Sequence, residues 1–362
     1  MVNKKKKILF IDKRSFGTLI DGLKYCEYLS SDFEITYLCL NSVDNPYRSA
    51  SINIVTINNN YGKLKTIIKL IQKTNSLLSK EKFDIIFIFY FQFSSLIKLF
   101  SYKKNCNYIL DLRTGPIYKN VFKRVFFFYL LKTETFFFKN VTIISECLSK
   151  KLGLRTKKTH ILPLGSDKFV EKKGSNVNSM NLLYVGILNQ RHIYKTVYGL
   201  KKFFTEYGGE ISITYDIVGP GNSKEIQKIK QAVNVTKLEN IITLHGKIPH
   251  YKLMSFFVKN NIGVSFIPKT EYFECQPPTK TFEYINSGLF CIATSTLENK
   301  KLINNDNGIL CEDTPESFYE ALVSTFKRLD KIKPQTISKT LSDYSWENII
   351  NKNLKKYLNS FS

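Results

Sequence analysis

The residues best placed to do chemistry lie in Glu274-Cys275-Gln276-Pro277-Pro278-Thr279-Lys280-Thr281-Phe282-Glu283-Tyr284-Ile285-Asn286-Ser287-Gly288. Two prolines end an extended approach and point the chain into a helix, whose first turn has no use for their missing N–H groups. Gly288 falls where a left-handed helix stop is expected. The unbonded N–H groups of a helix start attract anions, and Lys280 adds a full positive charge there. Glu283 follows Lys280 by three positions and Thr279 by four, so all three share a helix face. A cation able to hold phosphate and a carboxylate able to hold hydroxyls are thus about one turn apart. That pairing suits a nucleotide-sugar. The same spacing also describes an ordinary solvent-facing Lys–Glu pair on a short helix.

The elements that must carry this segment follow from the apolar pattern. Lys7 to Ile11, Phe33 to Leu40, Ile52 to Ile57, Phe83 to Phe89, Tyr108 to Leu112, Val141 to Ser145 and His160 to Pro163 read as strands. Helical stretches separate them, among them Lys63 to Leu78 and the long aromatic Tyr118 to Phe138. Glu171 to Met180 is polar and turn-rich, as a linker would be. The pattern then restarts with strands at Asn181 to Val185, Ser212 to Val218, Ile241 to Leu244, Ile262 to Ile267, Phe290 to Thr294 and Gly308 to Cys311. Glu316 to Leu329 and Asp343 to Leu358 read as helices. Short apolar strands alternating with helices predict α/β architecture, with two Rossmann-like parallel sheets. The expected domains are residues 1–170, a linker at 171–180, residues 181–340, and a terminal helix at 341–362 packing back on the first half.

Length and composition bound the function. A chain of 362 residues suits two domains, and 43% hydrophobic with 23% charged residues suits a globular protein. The formal charge of +24 comes from lysines dispersed along the chain. It implies phosphorylated ligands, an acidic lipid surface or nucleic acid, and a codon bias toward Lys, Asn and Ile explains part of it. The seven cysteines are odd in number, scattered and without a C-x-x-C pair, which fits a reducing cytosol and no zinc site. Lys4 to Lys7 precede only a four-residue apolar run, too short for a signal core, and no apolar run approaches membrane-spanning length.

Several motifs together resemble the retaining GT-B glycosyltransferases of the family 4 type. They are Tyr184-Val185-Gly186 with Arg191, Ile217-Val218-Gly219-Pro220-Gly221, Leu244-His245-Gly246-Lys247-Ile248, Pro278 to Glu283 with Ser287-Gly288, and Ile144-Ser145-Glu146 before Leu162-Pro163-Leu164-Gly165. The resemblance implies two Rossmann-like domains facing an interdomain cleft, with the donor on the carboxyl half and the acceptor on the amino half. It implies that Glu283 holds ribose hydroxyls and that Lys280 and Arg191 face the diphosphate. Lys247 and Ile248 then receive the base, and the loop through Pro278 and Thr279 meets sugar and phosphates. Gly186, Gly219 and Gly221 fall on the donor side. Two departures stand out. The family often carries two glutamates with seven residues between them; here Cys275 takes the earlier position and Glu274 lies one residue off. Many relatives also place a histidine near the sugar in the first half, yet none precedes His160. Asp111 and Arg113, at a strand end, are the candidate substitutes, or else a structural ion pair. Gly17 after the first strand lets backbone approach an acceptor, or simply makes a turn.

The implied function is transfer of a hexosyl or N-acetylhexosaminyl group from a nucleoside-diphosphate sugar to a hydroxyl of a glycan or lipid-linked acceptor. Retention is expected, in bacterial capsule, lipopolysaccharide or other surface-polysaccharide synthesis. No cofactor is expected and no metal, since no Asp-x-Asp occurs and cations can stabilise the leaving diphosphate. The expected location is cytoplasmic, with peripheral contact at an anionic membrane through the basic, aromatic 118–138 helix. A nucleotide-sugar 2-epimerase of similar architecture is one alternative. A basic nucleic-acid-binding protein is another, but the lysines are dispersed and no recognised module occurs, so no nucleic-acid partner is expected.

Overall fold

The computed structural model describes residues 5–41, 51–58, 60–102, 106–172, 174 and 177–361. Positions 173, 175 and 176 of the expected linker lie outside the described residues. The chain forms two compact units, Met1–Leu164 with Trp346–Ser362, and Gly165–Ser345.

The first unit is built on β1 (Lys6–Ser15), β2 (Phe33–Leu40), β3 (Ile52–Ile57), β4 (Ile85–Phe89), β5 (Asn107–Leu112), β6 (Asn140–Ile143) and β7 (Thr159–Ile161). These pair in parallel in the order β3-β2-β1-β4-β5-β6-β7. Its helices include α1 (Ile20–Leu29), α2 (Lys63–Lys80), α3 (Ser95–Leu99), α4 (Val121–Phe136) and α5 (Glu146–Leu152). A parallel sheet is covered on both faces, so its central strands must be apolar throughout. Ile85 to Phe89 is accordingly buried at every position. Phe10, Tyr37, Phe87, Phe89 and Tyr25 fill this core, and Trp346 from the returning terminus meets Tyr25 edge to face.

Two helices differ from the sequence expectation. α4 begins only at Val121, because Asn120 caps it by accepting from Lys123 N–H at 3.0 Å. The expected helix 343–358 is instead a turn, a short α segment, a π-helical stretch Ile349–Leu354 and a final α turn. Ile350, Leu354 and Leu358 recur every four residues and are all buried. A 3.6-residue turn drifts away from that spacing, and the wider π turn keeps all three facing the core.

The second unit is built on β8 (Ser179–Val185), β9 (Ser212–Val218), β10 (Ile242–Gly246), β11 (Ile262–Ser265), β12 (Phe290–Thr294) and β13 (Gly308–Cys311). Their parallel order is β10-β9-β8-β11-β12-β13. Around them pack α6 (Tyr194–Tyr207), α7 (Ser223–Thr236), α8 (Met254–Lys259), α9 (Glu271–Glu274), α10 (Thr279–Asn286), α11 (Asn299–Leu302) and α12 (Pro315–Phe326). Two Rossmann-like parallel sheets are therefore present. Among the described residues no helix is long and apolar enough to cross a membrane.

Candidate functional site

In the second unit the strand order reverses between β8 and β11, and ligands of open α/β sheets bind at the carboxyl ends beside such a reversal. β8 and β9 run out into Gly186 and Gly219, with φ of 149° and 148°. A Cβ on Gly219 would sit 1.8 Å from the Gly186 carbonyl oxygen, so only glycine fits. The close approach is held by Gly186 N–H on Val218 O at 2.9 Å and Gly219 N–H on Gly246 O at 2.7 Å. Three adjacent strand ends are thereby stripped of side chains.

Lys280 reaches into the space this leaves, 3.2 Å from where a Gly186 Cβ would lie. Its Nζ stands 3.8 Å from the centre of the Tyr184 ring. It is sealed from solvent and, among the described residues, has no hydrogen-bond partner. Burial drives its pKa well below the ordinary lysine value; nearby Arg191 adds repulsion, and Glu283 opposes both. Arg191 comes from the loop after β8, between two non-glycine residues in left-handed conformation, Gln190 (φ 60°) and His192 (φ 53°). Such backbone conformations are costly and cluster where a side chain must be aimed. Its guanidinium lies over the Phe273 ring at 4.1 Å. Each cation thus rests on an aromatic face rather than on a carboxylate.

Glu283 is one turn along α10 from Lys280. Burial raises its carboxyl to about 8, with the Asp167 charge adding to the rise and Lys280 opposing it. No hydrogen bond or ion pair holds it among the described residues. An acceptor group left in this state is available to ligand hydroxyls.

α10 is fixed by its other side. Tyr284 Oη accepts from Val185 N–H at 2.7 Å, tying the helix to the end of β8. The ring passes so close to β11 that a Cβ on Gly263 would lie 2.2 Å from it. Thr281 Oγ1 bonds Ser265 Oγ at 2.7 Å and donates to Asn299 Oδ1 at 2.9 Å. Pro278 stands at the helix entry and Gly288, φ 76°, just past its end.

The remaining predicted residues are placed as follows. Thr279 is exposed at the first position of α10. Glu274 ends α9 and accepts from Leu297 N–H at 2.7 Å, bracing the backbone beyond β12. Gly221 packs on Leu188, and Lys247 and Ile248 follow the end of β10. In the first unit Asp111 is fully buried in β5, accepts from Thr142 Oγ1 at 2.7 Å and is raised to about 7 by burial, against the pull of Arg113. Arg113 pairs with Asp21 at 2.6 Å and donates to the carbonyls of Leu162 and Pro163. Asp111, Arg113 and Asp21 thus form a buried ion network in the first unit. Gly17 lies in the turn after β1 with φ 80°.

Tyr184, Phe273 and Asp167 also adjoin these groups, and no spacing in the sequence assigns them there. The aromatic position directly before Val185-Gly186 was the only available signal for Tyr184. Asp216, by contrast, is structural: burial raises its pKa, but bonds from Asn260, His245 and Lys259 outweigh that and hold it low. Among the described residues no group of three or more His, Cys, Asp or Glu side chains has metal-holding geometry.

Two Rossmann-like domains of this kind define the GT-B class of protein. Residues 180–328, which include Tyr184, Gly186, Arg191, Lys280 and Glu283, match the family model described as Glycosyl transferases group 1. Solved structures of similar fold include a glycosyltransferase from Rickettsia africae ESF-5, 16% identical over 99% of this chain and 100% of that one, with a TM-score of 0.76. Another is Anabaena Alr3699/HepE in complex with UDP and glucose, 13% identical over 98% and 100% of the two chains, TM-score 0.75. The lipopolysaccharide outer core galactosyltransferase WaaB is 16% identical over 98% and 99%, TM-score 0.68. No curated protein matches the chain.

Proposed function

We propose that this protein is a retaining glycosyltransferase of the family 4 type, moving a hexosyl or N-acetylhexosaminyl group from a nucleoside-diphosphate sugar to a hydroxyl of a glycan or lipid-linked acceptor. The observation that carries the reading is Lys280: a buried side-chain nitrogen without a hydrogen-bond partner among the described residues, beside the bare strand ends at Gly186 and Gly219. A burial of this kind is costly until an anion arrives. The UDP and glucose bound by the Anabaena structure support a donor of this class.

In this reading Lys280 and Arg191 take the diphosphate, with the α10 N–H groups and the loop through Pro278 and Thr279 around it. Glu283 holds the ribose hydroxyls, and Lys247 and Ile248 lie toward the base. The acceptor oxygen bonds the anomeric carbon as the carbon–oxygen bond to the diphosphate breaks, leaving its electron pair on the leaving oxygen. The acceptor's proton passes to that same oxygen, so no side-chain base is required. The two cations stabilise the charge that develops there, and no metal is called on. A role in bacterial surface-glycan synthesis, at the cytoplasmic face of a membrane, fits the outer core galactosyltransferase among the similar folds.

The test is thermal stabilisation by UDP, GDP and ADP, followed by mass-spectrometric product analysis over a nucleotide-sugar panel with a lipid-linked acceptor extract. Stabilisation by a nucleoside diphosphate that is lost in Lys280→Met is the expected result. Equal stabilisation of the Lys280→Met variant overturns the reading.

A further inference from the structure

The first unit presents an apolar surface that the donor site does not use. On α4, Val121, Phe122, Val125, Phe126, Tyr129 and Phe136 are all exposed, Phe122 at 85% and Phe136 at 72%. At 100° per residue these six span about 140° of the helix circumference. The buried residues of the same helix, Leu131, Glu134 and Thr135, occupy the opposite side. The helix therefore has an inner face seated in the fold and a second, aromatic face turned to water. Exposed aromatic area gathered in this way marks a surface that something covers.

Charge says what covers it. Lys123 lies exposed beyond one edge of the aromatic face, the half-buried Lys132 falls within it, and Lys119 is exposed just before the helix and Lys139 just after it. The only acid in α4, Glu134, points inward. Its carboxylate accepts from Phe93 N–H, Ser94 Oγ and Ser95 N–H, where it caps α3. No acid of this helix is left on the outside to repel an anionic partner or to attract a second copy of the same basic face. An apolar strip with aromatic rings, accompanied by lysines and lying on a chain of formal charge +24, complements the headgroup boundary of an acidic bilayer.

We propose that the outer face of α4 docks flat on an anionic lipid bilayer, with its aromatic rings in the headgroup–acyl boundary and its flanking lysines on the acidic headgroups. The surface deepens the reading of a membrane-side transferase, but its binding is independent of the donor site.

The test is co-sedimentation of the full chain with vesicles of phosphatidylcholine mixed with phosphatidylglycerol, and with phosphatidylcholine alone. Binding should require the acidic lipid and weaken with added salt. The double variant Phe122→Ser/Phe126→Ser should bind at least about tenfold more weakly, with unchanged melting temperature because both rings are exposed. Lys123→Glu/Lys132→Glu should lose both affinity and salt dependence. A parent chain that ignores acidic vesicles, or a serine variant that binds as the parent does, overturns the proposal. So does a parent dimer, seen by light scattering, that the serine variant splits, since the face then belongs to a second copy. UDP titration of the same samples separates the two readings. Intact UDP binding without vesicle binding sinks only this surface, and the reverse result sinks only the donor assignment.

Discussion

The ring of Tyr184 lies 3.8 Å from Lys280 Nζ and offers its π face to that sealed nitrogen. A π face attracts a cation far less than a carboxylate does, so the ring positions the lysine without giving it a counter-charge. Tyr184 is itself fixed, its Oη donating to Ile187 O at 2.9 Å. We predict that Tyr184→Leu weakens nucleoside diphosphate binding about tenfold, whereas Tyr184→Phe, which keeps the ring, stays within about threefold. Calorimetric titration of both variants decides it; equal losses would assign the effect to the hydroxyl instead.

Lys280→Met should lower turnover at saturating donor by at least about a hundredfold, because the leaving diphosphate loses a cation that strengthens as its charge grows. An undiminished rate at saturating donor removes Lys280 from the leaving-group role.

Diphosphate binding should draw a proton onto Lys280. Burial and Arg191 hold its pKa well below the ordinary value in the empty site, and an adjacent anion reverses that preference. Uptake of up to about one proton is expected, with affinity falling as pH rises. Titrations at constant pH in buffers of different ionisation enthalpy read it directly, and Lys280→Met should abolish the buffer dependence.

Glu283→Gln should change stability in a defined pH window. The folded carboxyl is raised to about 8, so its contribution is complete below the unfolded value near 4.5 and is lost as pH rises through 8. The melting temperature of the variant relative to the parent should therefore climb across that interval. Glu283→Ala should weaken donor binding by about tenfold to a hundredfold without loss of stability. A flat difference in melting temperature between pH 4.5 and 8 contradicts the burial of an unpaired carboxyl.

Gly263→Ala and Gly219→Ala should each cost about 3 kcal/mol or more, the first by driving a Cβ into the Tyr284 ring and the second into the Gly186 carbonyl. Denaturant midpoints measure this, and near-parent midpoints would show that the strand ends relax freely.

Much of the fold was legible because parallel strands buried on both faces must be continuous apolar runs. Ile85 to Phe89 and Phe290 to Thr294 could be read as strands for that reason. The end of α10 was legible from Gly288, whose left-handed φ glycine adopts at no steric cost. The terminal segment misled because buried positions spaced by four look α-helical, while the π turn answers to the core they pack on. Residue type alone made Glu274 and Asp111 candidates for chemistry; that the first accepts from Leu297 N–H and the second from Thr142 could not be read from the chain.

By itself the sequence determined the two α/β halves, the helix start at Pro278 and the pairing of Lys280 with Glu283 on one face. These depend on periodicity and on backbone limits that act between near neighbours in the chain. Only the tertiary structure decided that Lys280 would be sealed beside Tyr184, that Arg191 would rest on Phe273, and that Gly263 would make way for Tyr284. Those contacts join residues far apart in the chain, and close packing of parallel strand ends, rather than any local preference, brings them within reach.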